Sequence, residues 1–411
     1  VEIGTPIRSL LLIMMLSLTH LFAFFICISF VILGCQNQQH QSGGLGAPLS
    51  VLYLRSGTIF DAFVDSTVQE FGNQSGTPTL VKSCTLLELL ELADDSAEHN
   101  EADILIVPYQ YLPLLASKSI IKPTTYAEHD ELPWSISACM WRGVRFGTLL
   151  FCQPPVLHIN RNLIRNSIDL NRGLTLFDIE HLVDTATISG GAWGVHGQDP
   201  GRQAQTIVSW FTLFGGALVD SLGRPTLNST ENVAALESYA ELARGNALET
   251  NRQLDALGKQ GSLALWYTHT QGREFTSASH RARGYDFSFI SAVPRSGNTG
   301  TFAGMAASVL RQASDSLTIS RLIGFLRDAV AAHESVGYPT TVTYWNAQAR
   351  KSDPENRIMN ILTNCRPLPS TVAWPLMEHV LEEAVLQVLY GQVSPRDALD
   401  QAQRELREHM R

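Results

Sequence analysis

Residues Trp210 to Ala243 read WFTLFGGALVDSLGRPTLNSTENVAALESYAELA. The stretch predicts an apolar helix, a glycine turn at Gly215-Gly216, a polar loop and a second helix. The second helix carries its own start signal: Asn228 or Ser229 can act as N-cap, and Glu231 and Asn232 follow in the first turn. Val233, Leu236, Tyr239, Ala240 and Ala243 recur at spacings of three and four, so one face of this helix is buried.

Outward from this segment, short apolar runs alternate with helical patterns. Leu49–Leu54 (LSVLYL) predicts a strand, followed by a turn at Arg55-Ser56-Gly57 and an amphipathic helix from Ile59 to Phe71. Thr79–Val81 predicts a second strand, Leu86–Leu92 a helix, and Ala102–Val107 (ADILIV) an apolar strand of the kind buried in parallel sheets. Pro108-Tyr109-Gln110 ends that strand, and the next helix carries Leu112, Leu114 and Leu115. Alternation of this kind argues for an α/β fold with parallel strand pairing. Gly147–Ile159 is a pair of apolar stretches broken by Gln153-Pro154-Pro155. Proline is poorly tolerated inside a central strand, so the chain is expected to cross there from one lobe to another.

The order of elements in 210–243 resembles the signature segment of extracellular solute-binding proteins of family 1, the carbohydrate-type receptors of ATP-binding-cassette (ABC) importers. The elements G-G-x-x-x-D (Gly215 to Asp220) and G-x-P-T-x-N (Gly223 to Asn228) stand together between the two helices. His158-Ile159-Asn160-Arg161-Asn162-Leu163 resembles the Y-Y-N-K-x-L element after the family's first crossover. Gly258 to Tyr267 resembles its G-K-x-A-M strand toward the cleft. Thr268-His269-Thr270-Gln271 replaces the glycine-tryptophan pair that usually follows. Phe287–Val293 resembles the strand returning to the first lobe, and Ala303–Leu310 with Leu317–Ala331 the next strand and helix. Ser394-Pro395-Arg396-Asp397 is a good helix start, and the helix to Met410 resembles the family's T-P-x-x-A-L-D-x-A tail.

The resemblance implies a two-lobed periplasmic-binding-protein-like fold of type II, with a hinge and a ligand cleft between the lobes. The expected N-terminal lobe takes residues 49–153 and 295–335, and the C-terminal lobe 154–294 and 336–411. Its implied function is an extracytoplasmic receptor that closes on a sugar, oligosaccharide or polyol and delivers it to ABC permease subunits, with no cofactor and no covalent chemistry. The rival readings are a secreted carbohydrate-active hydrolase and a sensory or structural lipoprotein that keeps the fold without transport.

The amino terminus bears on the compartment. Arg8 precedes a long apolar run, Ser9 to Gly34, that ends in Leu33-Gly34-Cys35. A base, an apolar stretch and a small residue before the cut describe an export signal. Gly34-Cys35 resembles a bacterial lipobox, which implies a signal peptide over 1–34 and lipidation of Cys35. The run also reaches bilayer-spanning length, about 20 residues, so an uncleaved anchor stays open. Either way the body is expected outside the cytoplasm and attached to a membrane, in the periplasm or at the cell surface. The polar, glycine-rich residues 35–48 read as a flexible tether.

Composition narrows the classes. Apolar residues make up 45% and charged residues 17%, as in a globular protein. The net charge is −9 with no long basic run, which argues against nucleic-acid binding. Of six cysteines, Cys84, Cys139, Cys152 and Cys365 lie in the body, and spacing alone does not decide whether they pair. No catalytic, metal or phosphate-cradling motif occurs: neither G-x-S-x-G, nor H-E-x-x-H, nor a P-loop. His379 reads as a surface residue, and Glu382-Glu383 as the wet face of a C-terminal helix.

Candidate ligand contacts follow from position. Ligands of open α/β sheets bind outside the carboxyl ends of strands, which selects Arg55 and Ser56 after the first strand and Tyr109 and Gln110 after ADILIV. The family also places contacts at the first crossover, here Gln153. Aromatic faces pack on the C–H faces of sugar rings, although core packing is the commoner role of any one tryptophan. Trp210, inside an apolar helix, reads as core. Trp266, at a strand end facing the expected cleft, is the leading aromatic candidate, followed by Trp345 and Trp193.

Overall fold

The computed structural model describes residues 48–94, 102–124, 130–164, 173–188, 192–195, 203–220, 223–244, 263–269, 284–290, 300–333, 335–348 and 353–409. The export signal, Cys35 and most of the tether lie outside them. Residues Leu49–Arg411 form one unit.

The chain begins with β1 (Leu49–Leu54), α1 (Thr58–Ser75), β2 (Thr79–Cys84), α2 (Leu86–Asp94) and β3 (Ile104–Pro108). A 3-10 turn, Tyr109–Tyr111, leads into α3 (Leu112–Ser117), then α4 (Pro133–Ala138) and the hairpin β4 (Met140–Trp141) and β5 (Val144–Arg145). Next come β6 (Thr148–Gln153), β7 (Pro155–Asn160), α5 (Leu176–Ile188), β8 (Ala192–Val195), α6 (Gln203–Leu213) and α7 (Thr230–Arg244). β9 (Leu263–His269), β10 (Tyr285–Ser288), β11 (Thr301–Val309) and α8 (Ser316–Val330) follow. The last elements are β12 (Tyr338–Pro339), α9 (Val342–Gln348), α10 (Asp353–Asn364), β13 (Arg366–Pro367), α11 (Trp374–Leu389) and α12 (Pro395–His409).

Local chemistry sets several helix starts. Thr85 and Glu88 form a reciprocal capping box at α2, as do Thr175 and Asp178 at α5. At α12 the Ser394 hydroxyl accepts from the Asp397 amide and donates to the Asp397 carboxylate. Ser229 caps α7 by accepting from the Asn232 amide at 3.2 Å. The side chain of Asn232 turns inward and donates to the carbonyls of Ala217 and Thr226, fastening the loop between α6 and α7. Gly216 is required there, because a Cβ at that position would sit 1.9 Å from the Asn232 side-chain oxygen.

Two sheets define the lobes. The larger runs β12-β6-β11-β3-β1-β2, with β13 paired to β11. β1 lies parallel to β2 and β3, as the alternating pattern predicts. β11 enters antiparallel between β3 and β6, so the sheet is mixed. All nine residues of β11 are buried, because helices cover both faces of the sheet. The smaller sheet runs β10-β7-β9-β8. The chain crosses from one sheet to the other through Gln153, Pro154 and Pro155, where β6 gives way to β7.

The structure adds three details to the sequence reading. Thr268 and His269, beyond the expected strand end at Tyr267, belong to β9. Phe287 and Ser288 stay in the smaller sheet, antiparallel to β7; the rest of the 287–293 segment beyond Ile290 lies outside the described residues. Tyr338-Pro339 and Arg366-Pro367, both from the segment expected in the C-terminal lobe, pair with β6 and β11 of the larger sheet.

The core follows strand alternation. Val51, Tyr53, Ile104, Ile106, Leu150 and Val309 point to one side of the larger sheet, where α1 and α8 cover them. Leu105, Val107, Leu149, Phe302 and Ala306 point to the other side, into a core that continues through α6, α7, α11 and α12. Val233, Leu236, Tyr239 and Ala240 of α7 are all buried in this core, and Trp210 packs edge-on against Tyr239 and Tyr267.

Candidate functional site

A cleft of about 600 Å³ opens at the carboxyl ends of β1, β3 and β6, within the range of about 300–1,000 Å³ usual for small-molecule sites. Its first wall is the turn Arg55-Ser56-Gly57, Pro108 at the end of β3, Gln153 at the crossover and the segment Ala303-Gly304-Met305 of β11. Its opposite wall is Gln205 near the start of α6 and the α11 residues Pro375, Glu378, His379 and Glu382. Tyr111, from the 3-10 turn after β3, also lines it.

Each wall is held by specific contacts. Arg55 donates to the Ser83 hydroxyl at 3.0 Å, and the Ser56 amide donates to Asp61 at 3.2 Å. Gln153 donates to the Val336 carbonyl at 3.2 Å, tying the crossover to the approach to β12. Gly304 allows β11 to lie against β6, since a Cβ there would sit 2.3 Å from the Phe151 carbonyl oxygen.

Between the walls, the Tyr111 hydroxyl donates a short hydrogen bond to the Glu378 carboxylate. Both residues are buried. Burial pushes the Glu378 carboxyl up to about 7; Tyr111 pulls the other way, Glu382 adds to the rise, and the Trp374 indole lowers it slightly. The Tyr111 phenol is raised too, first by burial and then by the facing carboxylate.

The junction between the sheets has a polar pin. The Ser209 hydroxyl of α6 donates to the Thr301 carbonyl at 2.9 Å and accepts from the Thr301 amide at 3.0 Å. His269 Nε2 lies 3.3 Å from the same hydroxyl and 2.9 Å from the Thr301 carbonyl. His269 is paired in register with Pro155, the first residue of β7. One helix of the second lobe and the end of β9 thus meet the first residue of β11 beside the crossover.

Of the sequence candidates, Arg55, Ser56 and Gln153 line the cleft. Tyr109 does not: it is buried, donates to the Phe302 carbonyl and accepts from the Leu368 amide, both at 2.7 Å. Gln110 is buried beside it. Trp345 is also in the core, donating to the Pro339 carbonyl at 2.9 Å and stacked on Tyr338. Tyr109 and Gln110 follow β3 as expected and Trp345 lies within α9, and in all three the side chain is buried. Trp193 and Trp266 sit on the paired strands β8 and β9, with Trp266 opposite His158 and Gly194; their side chains lie outside the described residues.

The α11 wall corrects the sequence reading. Glu382 is half-buried and lines the cleft with His379, while Glu383 is exposed. Glu378 was legible in principle: it shares a buried stripe with Trp374, Leu381 and Val385, and a carboxylate in such a stripe needs a reason.

No family model matches the sequence, and no curated protein matches it either. Solved structures do match the fold. The maltose-bound MalE3 of T. maritima is 14% identical, with a TM-score of 0.72 over 88% of this chain and 99% of that one. The GacH receptor of Streptomyces glaucescens GLA.O, solved unliganded and with acarbose, is 14% identical, with a TM-score of 0.71 over 88% and 98%. An ABC transporter solute-binding protein from Thermotoga lettingae TMO, bound to α-D-tagatose, is 13% identical, with a TM-score of 0.73 over 88% and 99%.

The chain has the two-lobed fold of periplasmic binding proteins. The cleft is lined by β-strand ends of the larger sheet and by α6 and α11.

Proposed function

We propose that the protein is an extracytoplasmic solute-binding receptor of an ABC importer, taking a sugar, oligosaccharide or polyol in this cleft and passing it to permease subunits. The observation that carries this reading is the cleft itself, lined from one side by strand ends of the larger sheet and from the other by α6 and α11. The structures that share the fold include proteins bound to maltose, acarbose and tagatose. In this reading 49–153 and 295–335 move as one lobe and 154–294 with most of 336–411 as the other. Ligand contacts made by both walls then favour the closed form. No covalent step is needed.

Lipid at Cys35 holds the receptor to the membrane outside the cytoplasm, with 35–48 as its tether. Changing Cys35 to Ala then releases the protein from membranes into the soluble extract, and metabolic labelling with a fatty acid is lost.

A thermal-shift screen of the full chain in detergent against neutral sugars, amino sugars and polyols tests the function. A ligand that binds only the folded form raises the melting temperature, and small-angle scattering should show a smaller radius when it is present. No stabilisation by any of them, or turnover of a glycan, would overturn the receptor reading.

A further inference from the structure

The first wall of the cleft carries large apolar side chains besides those that its core buries. β1 and β2 pair in parallel, with Leu54 opposite Cys84, so the helices that leave their carboxyl ends start side by side. α1 buries the stripe Phe60, Phe63, Val64, Val68 and Phe71, and Ile59 stands beside it, 45% exposed. α2 buries Leu89 and Ala93, while Leu86, its first residue, is 39% exposed. Ile59 and Leu86 both line the cleft.

A lone exposed apolar residue is ordinary on a protein surface, but these two come from separate helices and meet at one concave site. The surface they form is firm. Phe60, next to Ile59 and also in the cleft lining, packs edge-on against Tyr53 at 6.0 Å and against Phe151 at 5.7 Å. The far wall offers little to cover it: among the described residues that wall is Gln205, Pro375, Glu378, His379 and Glu382, polar at every position but one. Closing the lobes would bring Ile59 and Leu86 toward polar groups unless a bound molecule lies between.

We infer that the ligand is a sugar bearing an apolar substituent, an aryl or short-alkyl glycoside, an inference that rests on the receptor reading above. Its hydroxyls meet Ser56, Gln153 and Gln205, and its substituent lies on Ile59 and Leu86. Covering them removes apolar surface from water on both partners, which favours the complex in proportion to the area buried. A bare sugar, hydroxylated around its ring, covers them less.

Calorimetric titration of the full chain in detergent, with the heat of each probe into detergent alone subtracted, tests this. The probes are the methyl and phenyl β-glucosides and the methyl and phenyl β-maltosides. At least one phenyl glycoside should bind about tenfold or more tightly than its methyl partner. Its heat-capacity change on binding should also be more negative, the mark of apolar burial. Ile59→Gln and Leu86→Gln should each remove most of the phenyl advantage and leave methyl-glycoside affinity in place. Leu87→Gln, an exposed neighbour that does not line the cleft, should change nothing. All three positions are exposed, and the circular dichroism of each variant shows whether it is folded. Methyl glycosides binding as tightly as the phenyl ones, or a phenyl preference that survives both cleft variants, would overturn the apolar assignment and leave the receptor reading standing. So would a protein that binds an unsubstituted sugar or polyol of the thermal-shift screen but none of the four glycosides. Binding of nothing in either set would overturn both.

Discussion

The Tyr111 hydroxyl donates to the Glu378 carboxylate across 267 positions of sequence, linking the turn after β3 to the helix that forms the far wall of the cleft. Burial of this carboxyl makes stability depend on pH. Burial raises the Glu378 carboxyl from the usual carboxylate range to about 7 in the folded protein. Between the unfolded and folded values the folded state holds the proton and the unfolded state does not, so stability falls as pH rises through that window. Above about 7 the loss is complete, on the order of 3 kcal/mol. The charged and titratable groups around it are Tyr111 from the 3-10 turn, Glu382 and His379 on α11, and Arg55 on the facing wall. Urea unfolding of wild type and Glu378→Gln should therefore diverge from about pH 5 to pH 7, with the variant gaining relative stability at the upper end. Parallel curves would show that Glu378 ionises freely in the fold.

Trp345 should behave as a core residue. It stacks on Tyr338, meets Tyr344 edge-on and donates to the Pro339 carbonyl. Trp345→Ala should cost about 3–5 kcal/mol of unfolding free energy, as large-to-small core changes do. Trp345→Phe should cost less and leave ligand affinity unchanged. A large affinity loss at full stability would place this ring on the ligand instead.

That contrast shows what the sequence made legible. Apolar runs and capping signals located the strands and helices, because burial and end chemistry act over a few residues: LSVLYL is a strand as it reads, ADILIV holds most of β3, Ser229 is the cap of the two candidates Asn228 and Ser229, and Ser394 caps α12. The Pro154-Pro155 break marked the crossover for the same local reason. Strand ends named one wall of the cleft, with Arg55, Ser56 and Gln153. The other wall depends on how α11 docks against α6 and the 3-10 turn, a contact between residues far apart in sequence. Helical periodicity assigns Glu382 to a polar face without saying that this face meets a cavity. Likewise, Tyr109 follows a strand end, but only the packing of Phe302 and Leu368 around it decides that it points inward.

The thiols should be silent in the native protein. Cys84, Cys139, Cys152 and Cys365 are all buried thiols outside any disulfide. Burial pushes the Cys84 thiol up to about 11 and Cys139 to about 12, and raises Cys152 well above its usual range. Thiolate is the reactive form, so a maleimide should label none of the four near neutral pH until denaturant is added. Peptide mass spectrometry would then find all four labelled without prior reduction. Labelling of the denatured chain only after reduction would mean that they pair in the oxidised protein.

The ion cluster that braces the larger sheet should be costly to break. Arg145 grips both oxygens of Glu131, at 2.8 and 2.6 Å, and Arg327 lies 3.9 Å from the same carboxylate. The Glu131 side chain has no solvent exposure, and those of Arg145 and Arg327 are 12% and 8% exposed. Glu131→Ala leaves two guanidinium groups in low dielectric without their shared partner, so a loss of about 3–5 kcal/mol is expected in urea unfolding. Glu131→Gln keeps the acceptor oxygen and should lose less. Equal losses for both would mean that packing, not charge, carries the contribution.

Ser209 is the test of the hinge pin. Its hydroxyl serves the amide and the carbonyl of Thr301 at once, and His269 shares that carbonyl. Ser209→Ala removes the shared hydroxyl and leaves the Thr301 amide buried without an acceptor, which costs about 1–3 kcal/mol. The loss should be local: hydrogen exchange at Thr301 and the residues following it in β11 should speed up, while exchange in β1 and α1, on the far side of the larger sheet, should not. If the hydroxyl holds the junction in one of its two lobe arrangements, the variant should also change the scattering radius of the unliganded protein. Faster exchange spread evenly over both sheets would instead make Ser209 an ordinary core contact with no part in lobe movement.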